Sequence, residues 1–365
     1  MKKTFIYMFA LVTMLGFIAS CGDWTDTEIK NPTDLTHTNK SEAYYKQLRE
    51  YKKSDHEVAF GWFGNWVGVG LSLENTLQGL PDSVDFVSIW GNAFNLSAER
   101  KTDLKQVQEV KGTRALLCFI VDNIGTQLTP AGEDPADFWG YKTAADASAE
   151  EVAAAKEKAI RKYANALCDS IDKYGYDGFD WDYEPHYGSP GNIAGQAEAE
   201  AIFIDEMSKR IGPKSGTGRL FVIDGEPQSV NSNYGRYFDY FIVQAYSCGS
   251  YADLDSRLNS TVNNFARAEN DDDKLTAEEV AKKYIVTENF ENYAKAGGVT
   301  HTTRDGRKVP SLIGMAEWKP IIDGKTVQKG GCGSYHMEYE YSVSGKSVTY
   351  PWLRQSIQIQ NPSVK

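Results

Sequence analysis

The residues best suited to chemistry in this 365-residue chain are acidic and closely spaced. Residues 176–184 read Tyr-Asp-Gly-Phe-Asp-Trp-Asp-Tyr-Glu, which places carboxyl groups at Asp180, Asp182 and Glu184. Because side chains alternate between the faces of a β-strand, these three share one face and large aromatic residues occupy the other. Unpaired buried carboxylates are costly, and neighbouring charge raises the pKa of at least one of them. A carboxyl group with a raised pKa can act as a general acid near neutral pH.

Two simpler interpretations of this segment are a solvated acidic strand and a calcium-binding loop. A solvated strand has no reason to pair its acidic residues with three large aromatic side chains. An EF-hand loop needs Gly at its sixth position and Glu at its twelfth, and neither spacing is present. Since carboxyl groups with perturbed pKa values cluster at functional sites, we interpret the segment as catalytic.

The same segment resembles a known family signature. Asp177, Gly178, Asp180, Asp182 and Glu184 match, position for position, the D-G-x-D-x-D-x-E motif of glycoside hydrolase family 18, which contains chitinases and endo-β-N-acetylglucosaminidases. The resemblance implies a single (β/α)8 TIM barrel whose fourth strand carries the motif, with Glu184 at the C-terminal mouth. It also implies that Glu184 is the general acid, that Asp182 orients the 2-acetamido group of the substrate, and that Asp180 shares a proton with Asp182.

A second group of polar residues ends the predicted sixth strand. Gln244 and Tyr246 share a face there and would point to the mouth of the barrel. In the family that the motif resembles, a Tyr at this place hydrogen-bonds the acetamido group, and a Gln before it is common among endo-β-N-acetylglucosaminidases. The resemblance therefore implies a catalytic role for Tyr246 and substrate binding by Gln244. The alternative is that Tyr246 only fills the barrel.

Other strand-end residues are weaker candidates. Asn123 and Asn289 are suited to binding sugar hydroxyls and Trp62 to stacking on a sugar ring, although each could instead be structural. Glu226 and Glu288 rival Glu184 as the acid, but neither is flanked by a comparable set of residues. The five His form no metal-binding cluster and the Cys show no C-x-x-C spacing, so we predict neither a metal nor a cofactor.

The N-terminal residues predict export and lipid attachment. Residues 1–20 combine a basic start with an apolar run too short to span a bilayer, which is typical of a secretory signal peptide. The run ends Ile-Ala-Ser-Cys at Cys21, which resembles a bacterial lipobox; the alternative is ordinary cleavage beside an unrelated Cys. Residues 21–44 are polar and predict a tether, and 45–365 predict the catalytic barrel. We therefore expect a protein anchored by lipid in the cell envelope, at the outer membrane.

The composition narrows the range of partners. The net charge of −11 argues against nucleic acid or an acidic membrane surface as a binding partner. The 21 Tyr and 8 Trp suit a site in which sugar rings stack on aromatic faces, although large barrels also use aromatic residues in their cores. We expect a monomer whose partner is an N-glycan or another glycan containing N-acetylglucosamine.

Eight strand-like runs alternate with amphipathic helical stretches, the pattern of βα units and a parallel sheet. They are 58–62, 85–90, 115–121, 178–183, 220–223, 240–245, 284–286 and 333–337. Eight is the number of strands that a TIM barrel requires. The clearest helix is predicted over 149–174, opening with a capping box of Ser148 and Glu151. A further apolar run, 311–320, is either the last barrel strand or an extra element before it.

Two classes of function follow. The resemblance implies a retaining endo-β-N-acetylglucosaminidase that cleaves the diacetylchitobiose core of N-glycans by substrate-assisted catalysis, most like the lipoprotein enzymes of gut Bacteroides. The other class is a non-catalytic glycan-binding lipoprotein on the same fold, but such relatives typically lack the final Glu or the preceding Asp of the motif. A chitinase would share the chemistry. The interval after the seventh strand is too short for the α+β insertion of many processive chitinases, which predicts an open groove.

Overall fold

The protein is described here by a computed structural model that covers residues 40–187 and 191–362. Within these ranges eight parallel strands form a closed barrel. In chain order, β1 to β8 are Val58–Phe63, Phe86–Ile89, Arg114–Ile120, Gly178–Tyr183, Leu220–Gly225, Tyr240–Gln244, Tyr284–Asn289 and Gly331–Tyr335. β1 pairs with β8, which closes the sheet. The predicted (β/α)8 TIM barrel is confirmed.

The α-helices of the described ranges alternate with these strands. In chain order, α1 to α10 are Glu42–Tyr51, Ala98–Gln106, Pro135–Trp139, Ala149–Tyr174, Ala197–Ser208, Tyr251–Phe265, Ala277–Lys283, Phe290–Tyr293, Ser311–Glu317 and Pro351–Gln360. The crossovers from β1 to β2 and from β5 to β6 carry only 3₁₀ turns, Leu77–Gly79 and Ser232–Tyr237. In the part of the chain that the structure describes, no helix combines the length and apolar character needed to cross a bilayer.

Helix α4 has the bounds that the sequence predicts, because local interactions set both of its ends. The Ser148 side chain accepts a hydrogen bond from the Glu151 backbone, and the Glu151 side chain accepts one from the Ser148 backbone. At the other end Gly175 adopts a left-handed conformation with φ 78° and terminates the helix. The helix leads directly into the acidic strand.

Two apolar layers hold the barrel together. The inner layer fills the barrel with side chains that include Phe60, Phe86 and Ile242. The outer layer lies between the strands and the helices. Trp181 of β4 belongs to the outer layer, and its ring meets that of Phe203 on α5 at 5.0 Å between centroids. The aromatic face of the motif strand therefore packs against helices, as its alternation predicts.

The structure decides one open alternative and changes one predicted boundary. The apolar run 311–320 contains helix α9, so it is the extra element before the last barrel strand, β8, which lies at Gly331–Tyr335. A short apolar run does not distinguish a buried helix from a buried strand, and residues Ser311 to Ala316 are all buried. Helix α1 begins at Glu42, inside the predicted tether. The predicted signal peptide, Cys21 and the rest of the tether lie outside the described residues.

The first two residues of the acidic motif, Asp177 and Gly178, serve to hold β4 in place and lie away from the catalytic carboxyl groups. Asp177 accepts hydrogen bonds from the Ala115 backbone of β3 at 2.8 Å and from Gln108 Nε2 at 2.7 Å. Gly178 has φ 151°, and a Cβ atom at this place would overlap the carbonyl oxygen of Leu220 on β5. These contacts fix β4 between its neighbours at the N-terminal end of the barrel.

Candidate active site

The predicted catalytic carboxyl groups lie together at the C-terminal end of β4. Asp180 is fully buried, Asp182 is 3% exposed and Glu184 is half-buried. Because β-strand side chains alternate, the three groups follow one another along the inner face of the barrel toward its mouth. Asp180 is the deepest, and Glu184 is the nearest to solvent.

Neutral donors from two other strands of the barrel surround Asp180. Its Oδ2 accepts hydrogen bonds from Trp62 Nε1 at 3.1 Å and from Ser88 Oγ at 2.6 Å. Trp62 belongs to β1 and Ser88 to β2. Burial raises the pKa of Asp180 to about 6, and the hydrogen bonds limit this rise because they stabilise the ionised form.

The two carboxyl groups nearer the mouth also have raised pKa values. Burial raises the pKa of Asp182 well above its ordinary value, and the charge of Glu184 adds to the effect. Burial raises the pKa of Glu184 as well; a hydrogen bond with Gln244 lowers it, and the charges of Glu226 and Asp122 raise it further. Glu184 therefore keeps its proton to higher pH than a free Glu, as a general acid must.

A fourth carboxyl group, Asp224, joins the cluster, and the sequence interpretation did not include it. Asp224 is fully buried on β5, where its backbone pairs in register with that of Asp182. Its Oδ1 accepts a hydrogen bond from Gln244 Nε2 at 3.1 Å. The predicted strand ended at 223, whereas one more residue of strand places Asp224 on the same inward face as Val222.

Aromatic rings lie at the mouth of the barrel above the acidic cluster. The rings of Tyr246 and Tyr335 stack with centroids 6.0 Å apart, and Tyr335 meets Trp90 edge-on at 5.8 Å. Burial raises the pKa of Tyr246 well above its usual value, and the charge of Asp224 adds to the rise, so its hydroxyl remains a hydrogen-bond donor. Tyr335 was also absent from the predicted site; its place at the end of β8 is the signal that could have identified it.

The weaker candidates have different surroundings. Asn123 is exposed at the mouth, where its Oδ1 accepts a hydrogen bond from the Asn192 backbone at 3.0 Å. The Asn289 side chain accepts one from the Glu291 backbone at 2.8 Å and so caps helix α8. Trp62 is only 2% exposed, because β1 directs its ring into the barrel beside Asp180. This burial does not fit the predicted role of Trp62 as an open stacking surface.

Two cavities flank β4 at the mouth. The first has a volume of about 270 Å³ and lies on the side of β5 and β6, lined among others by Glu184 and Gln244. The second has a volume of about 420 Å³ and lies on the side of β2 and β3, lined among others by Trp90, Phe94 and Asn123. Gln244 and Asn123, both predicted to bind substrate, therefore lie on opposite sides of the acidic row, which is formed by Asp180, Asp182 and Glu184.

The two rival acids have structural partners. Glu288 is fully buried, and its Oε1 accepts hydrogen bonds from the backbones of Ser247 at 2.8 Å and Asn289 at 2.7 Å. Glu226 pairs with His186, with 2.6 Å between Oε2 and Nδ1. Neither belongs to the acidic row, which leaves Glu184 as the carboxyl group best placed to act as the acid.

One group of side chains within the described ranges is close enough to hold a metal ion. It consists of Cys118, Asp180 and Asp224, whose ligand atoms lie within 4.8 Å of one another. Burial raises the pKa of the Cys118 thiol well above its ordinary value, which disfavours the thiolate that a metal would bind. We therefore treat these three side chains as the deepest part of the acidic cluster and not as a metal site.

Comparison with known proteins identifies the family. The family model described as glycoside hydrolase family 18, BT1044-like, matches residues 25–359. The chain belongs to glycoside hydrolase family 18. This confirms the resemblance carried by the acidic motif, and with it a glycoside hydrolase activity.

Individual relatives agree with the family 18 assignment. A solved structure of BT1044, in a selenomethionine form with one Glu-to-Gln substitution, has a TM-score of 0.76 and 35% identity, covering 91% of this chain and 96% of its own. Endo-β-N-acetylglucosaminidase F2 of Elizabethkingia meningoseptica is 24% identical over 334 residues, covering 86% of this chain and 85% of its own. An endo-β-N-acetylglucosaminidase from Cordyceps militaris is similar in fold, with a TM-score of 0.57, 22% identity and coverage of 89% and 98%.

Proposed function

We propose that this family 18 hydrolase is a retaining endo-β-N-acetylglucosaminidase that cleaves the β-1,4 bond within the diacetylchitobiose core of N-glycans. The observation that carries the proposal is the placement of Asp182 on β4 and of Glu184 directly after β4, with the Tyr246 hydroxyl near enough to feel the charges of both. An acid, a second carboxyl group and a phenol donor thus converge on one space. The name of the relative from Elizabethkingia supports this choice of activity.

Glu184 is the proton donor in the first step. It protonates the glycosidic oxygen while the carbonyl oxygen of the substrate's own 2-acetamido group attacks the anomeric carbon. The glycosidic bond breaks, and an oxazolinium ion forms. In the second step the Glu184 carboxylate takes a proton from water, this water attacks the anomeric carbon, and the bond from that carbon to the acetamido oxygen breaks, which restores the acetamido group. Two inversions at the same carbon retain its configuration.

Asp182 and Tyr246 serve the acetamido group. The Asp182 carboxylate accepts a hydrogen bond from the acetamido N–H, and its charge stabilises the positive oxazolinium ion. The Tyr246 hydroxyl donates to the acetamido oxygen and holds it toward the anomeric carbon. Asp180 lies beneath and shares a proton with Asp182, which tunes the charge of Asp182. Each contact is stronger in the transition state than in the bound substrate, as catalysis requires.

An N-glycan suits the mouth of the barrel better than a chitin chain. Between β7 and β8 the described residues form two short helices and two hairpins, Thr300–Thr302 with Lys308–Pro310 and Ile321–Ile322 with Lys325–Thr326. These elements are too small to form the α+β insertion that deepens the groove of many processive chitinases. The open mouth, with cavities on both sides of β4, accommodates branches.

The experiment that tests the proposal compares a released N-glycan, an N-glycoprotein and chitin oligomers as substrates. We expect cleavage of the first two between the core N-acetylglucosamine residues, with the β-anomer as the first product by proton NMR. Glu184→Gln should lower kcat about 10²- to 10⁴-fold, because positioned acid catalysis is lost, while glycan binding persists. Asp182→Asn should also lower kcat, through loss of acetamido positioning.

The control for these variants is Glu198→Gln, which removes an exposed carboxyl group on α5. It should leave kcat unchanged. Near wild-type turnover by Glu184→Gln would overturn its role. Cleavage of chitin oligomers alone would make the protein a chitinase, and glycan binding without cleavage of any substrate would contradict the proposed activity.

We also propose that the enzyme is held at the envelope by lipid on Cys21. The basic start, the short apolar run and the small residues before Cys21 support this proposal. Acyl chains on one Cys can anchor an otherwise water-soluble domain to a bilayer.

A further inference from the structure

The barrel interior contains one carboxyl group more than the proposed mechanism uses. We propose that Asp224 is a positioning residue, a neutral carboxylic acid that holds a proton on β5 and donates a hydrogen bond to Asp182. This donation lets Asp182 carry the negative charge beside the oxazolinium ion. The inference rests on the proposed function and deepens it.

The position of Asp224 brings it against both acidic residues of β4. Its backbone pairs in register with Asp182, and its side chain is in hydrogen-bonding contact with those of Asp180 and Asp182. It is fully buried, so no bulk water competes for these contacts. Asp224 is therefore placed to give a proton to either neighbour.

Three buried oxygens favour a proton within the cluster. Within the described residues, Asp180 Oδ1, Asp182 Oδ1 and Asp224 Oδ2 have no hydrogen-bond partner when all three groups are treated as acceptors. An ionised carboxylate only accepts, so three ionised groups would leave these oxygens without a donor in a buried place. A proton on one group converts it into a donor for the next.

The donors around each group indicate where that proton resides. Asp180 accepts hydrogen bonds from Trp62 and Ser88, both of which favour its ionised form. Asp224 accepts one hydrogen bond, from Gln244. In the proposed mechanism Asp182 faces the acetamido N–H and the positive charge of the intermediate, which favour ionisation there. Asp224 is therefore best placed to retain a proton of its own throughout the reaction, in addition to the proton that Asp180 and Asp182 share.

The titratable groups that face Asp224 favour its neutral, protonated form. They are Asp180 and Asp182 on β4, Cys118 on β3 and Tyr246 after β6. Burial raises the pKa of Asp224 well above its ordinary value, and the charges of Asp180 and Asp182 add to the rise. None of these described neighbours is a cation, so none would stabilise a negative charge on Asp224.

Two substitutions distinguish the role of Asp224 as a hydrogen-bond donor from an effect of its charge. Asp224→Asn keeps the shape and an N–H donor, and we expect its kcat on the N-glycan to stay within about threefold of wild type, since a neutral donor is retained. Asp224→Leu removes the donor, and kcat should fall about 10- to 100-fold, as for loss of a hydrogen bond to a charged group. Wild-type turnover by a folded Asp224→Leu protein would overturn the inference.

The pH profile of kcat/KM supplies a readout that a purely structural role would not change. If Asp224 is neutral, Asp224→Asn removes no charge and both limbs of the profile stay in place. If Asp224 is ionised, the substitution lowers the pKa of neighbouring carboxyl groups, and the limbs move to lower pH. Such a movement would contradict the inference.

A direct measurement does not depend on any substrate. Carbon-13 NMR of the resting protein with carboxyl-labelled Asp, compared between wild type and Asp224→Asn, assigns the Asp224 signal. We expect the chemical shift of a protonated carboxyl group at neutral pH. An ionised Asp224 would overturn this inference alone, whereas a protein with protonated Asp224 that cleaves no N-glycan would contradict only the proposed function.

Discussion

Each carboxyl group along β4 has its own environment, and the environment sets its protonation. Asp180 accepts two hydrogen bonds from neutral donors, whereas Glu184 faces a cavity at the mouth. A carboxyl group can therefore carry charge in the deepest part of the site and a proton at its entrance.

Glu226 adjusts the acid from the end of β5. Its charge raises the pKa of Glu184, after the larger effect of burial. In the proposed mechanism Glu184 must be protonated to act, so activity should be lost as pH rises through its pKa. Glu226→Gln should lower this pKa, and the basic limb of the kcat/KM profile should move to lower pH. Glu198→Gln serves as the control, and an unmoved or raised basic limb would contradict the prediction.

Ser88 supports Asp180, the deepest carboxyl group of the acidic cluster. Its hydroxyl donates to Asp180 at 2.6 Å in a fully buried place. Ser88→Ala should lower kcat about 10- to 100-fold, because a hydrogen bond to a charged group contributes roughly 1.5–3 kcal/mol. Ser256→Ala on the exposed face of α6 is the control, with steady-state kinetics on the same N-glycan as the measurement. An unchanged kcat for Ser88→Ala would exclude this supporting role.

At the scale of elements, the strands bring the chemistry together by register. β5 places Asp224 opposite Asp182, and β4 must lie close to β5 for this pairing. Gly178 permits the close approach, since any Cβ there meets the carbonyl group of Leu220. The acidic cluster, like the sheet itself, therefore depends on the register of β4 against β5.

Gly178→Ala tests this condition. We expect a loss of at least about 2 kcal/mol in the free energy of unfolding, because the added Cβ overlaps backbone and the positive φ is strained. Gly175→Ala is the matched control: its φ of 78° is also positive, but no atom lies within 4 Å of the added Cβ. It should cost only about 1 kcal/mol. Equal losses in urea unfolding would show that the close approach has no special cost.

At the scale of the molecule, an ion pair at the N-terminal end helps to close the barrel. Glu57 precedes β1 and Lys329 precedes β8, and their charged atoms lie 2.6 Å apart in a buried place. Between them the Val58 backbone donates to the Gly330 carbonyl at 2.8 Å. The pair therefore joins the first strand to the last, far from Glu184 at the mouth.

Lys329→Met should destabilise the fold without changing the chemistry. Removal of one partner leaves Glu57 with Lys319 alone, and we expect a loss of about 3 kcal/mol in the free energy of unfolding. The kcat of the folded protein should be unchanged. Lys325→Met, on an exposed hairpin, is the control for stability. A loss below that of the control would show that the pair does not stabilise the closed barrel.

Membrane attachment is tested outside the described residues. If Cys21 carries the lipid, Cys21→Ser should move the protein from the membrane fraction to the soluble fraction. The measurement is fractionation of cells that express the full chain, with enzyme activity followed in both fractions. A Cys21→Ser protein that still sediments with membranes would rule out this anchor.

The sequence by itself determined the features that depend on near neighbours in the chain. The alternation of Asp180, Asp182 and Glu184 along β4 follows from a two-residue period, and the ends of α4 follow from Ser148 and Gly175. Such features need no knowledge of the remaining chain. The number and order of the strands were also predictable, because most strands are local apolar runs and β4 is a local alternation of acidic and aromatic residues.

Only the tertiary structure decided which distant residues meet. Asp224 joins Asp182 through the pairing of β5 with β4, and Tyr335 stacks on Tyr246 although β7 lies between their strands. The burial of Trp62 depends likewise on the closure of the barrel around it. These contacts arise from register and closure, which are set by long-range packing and not by the spacing of residues along the chain.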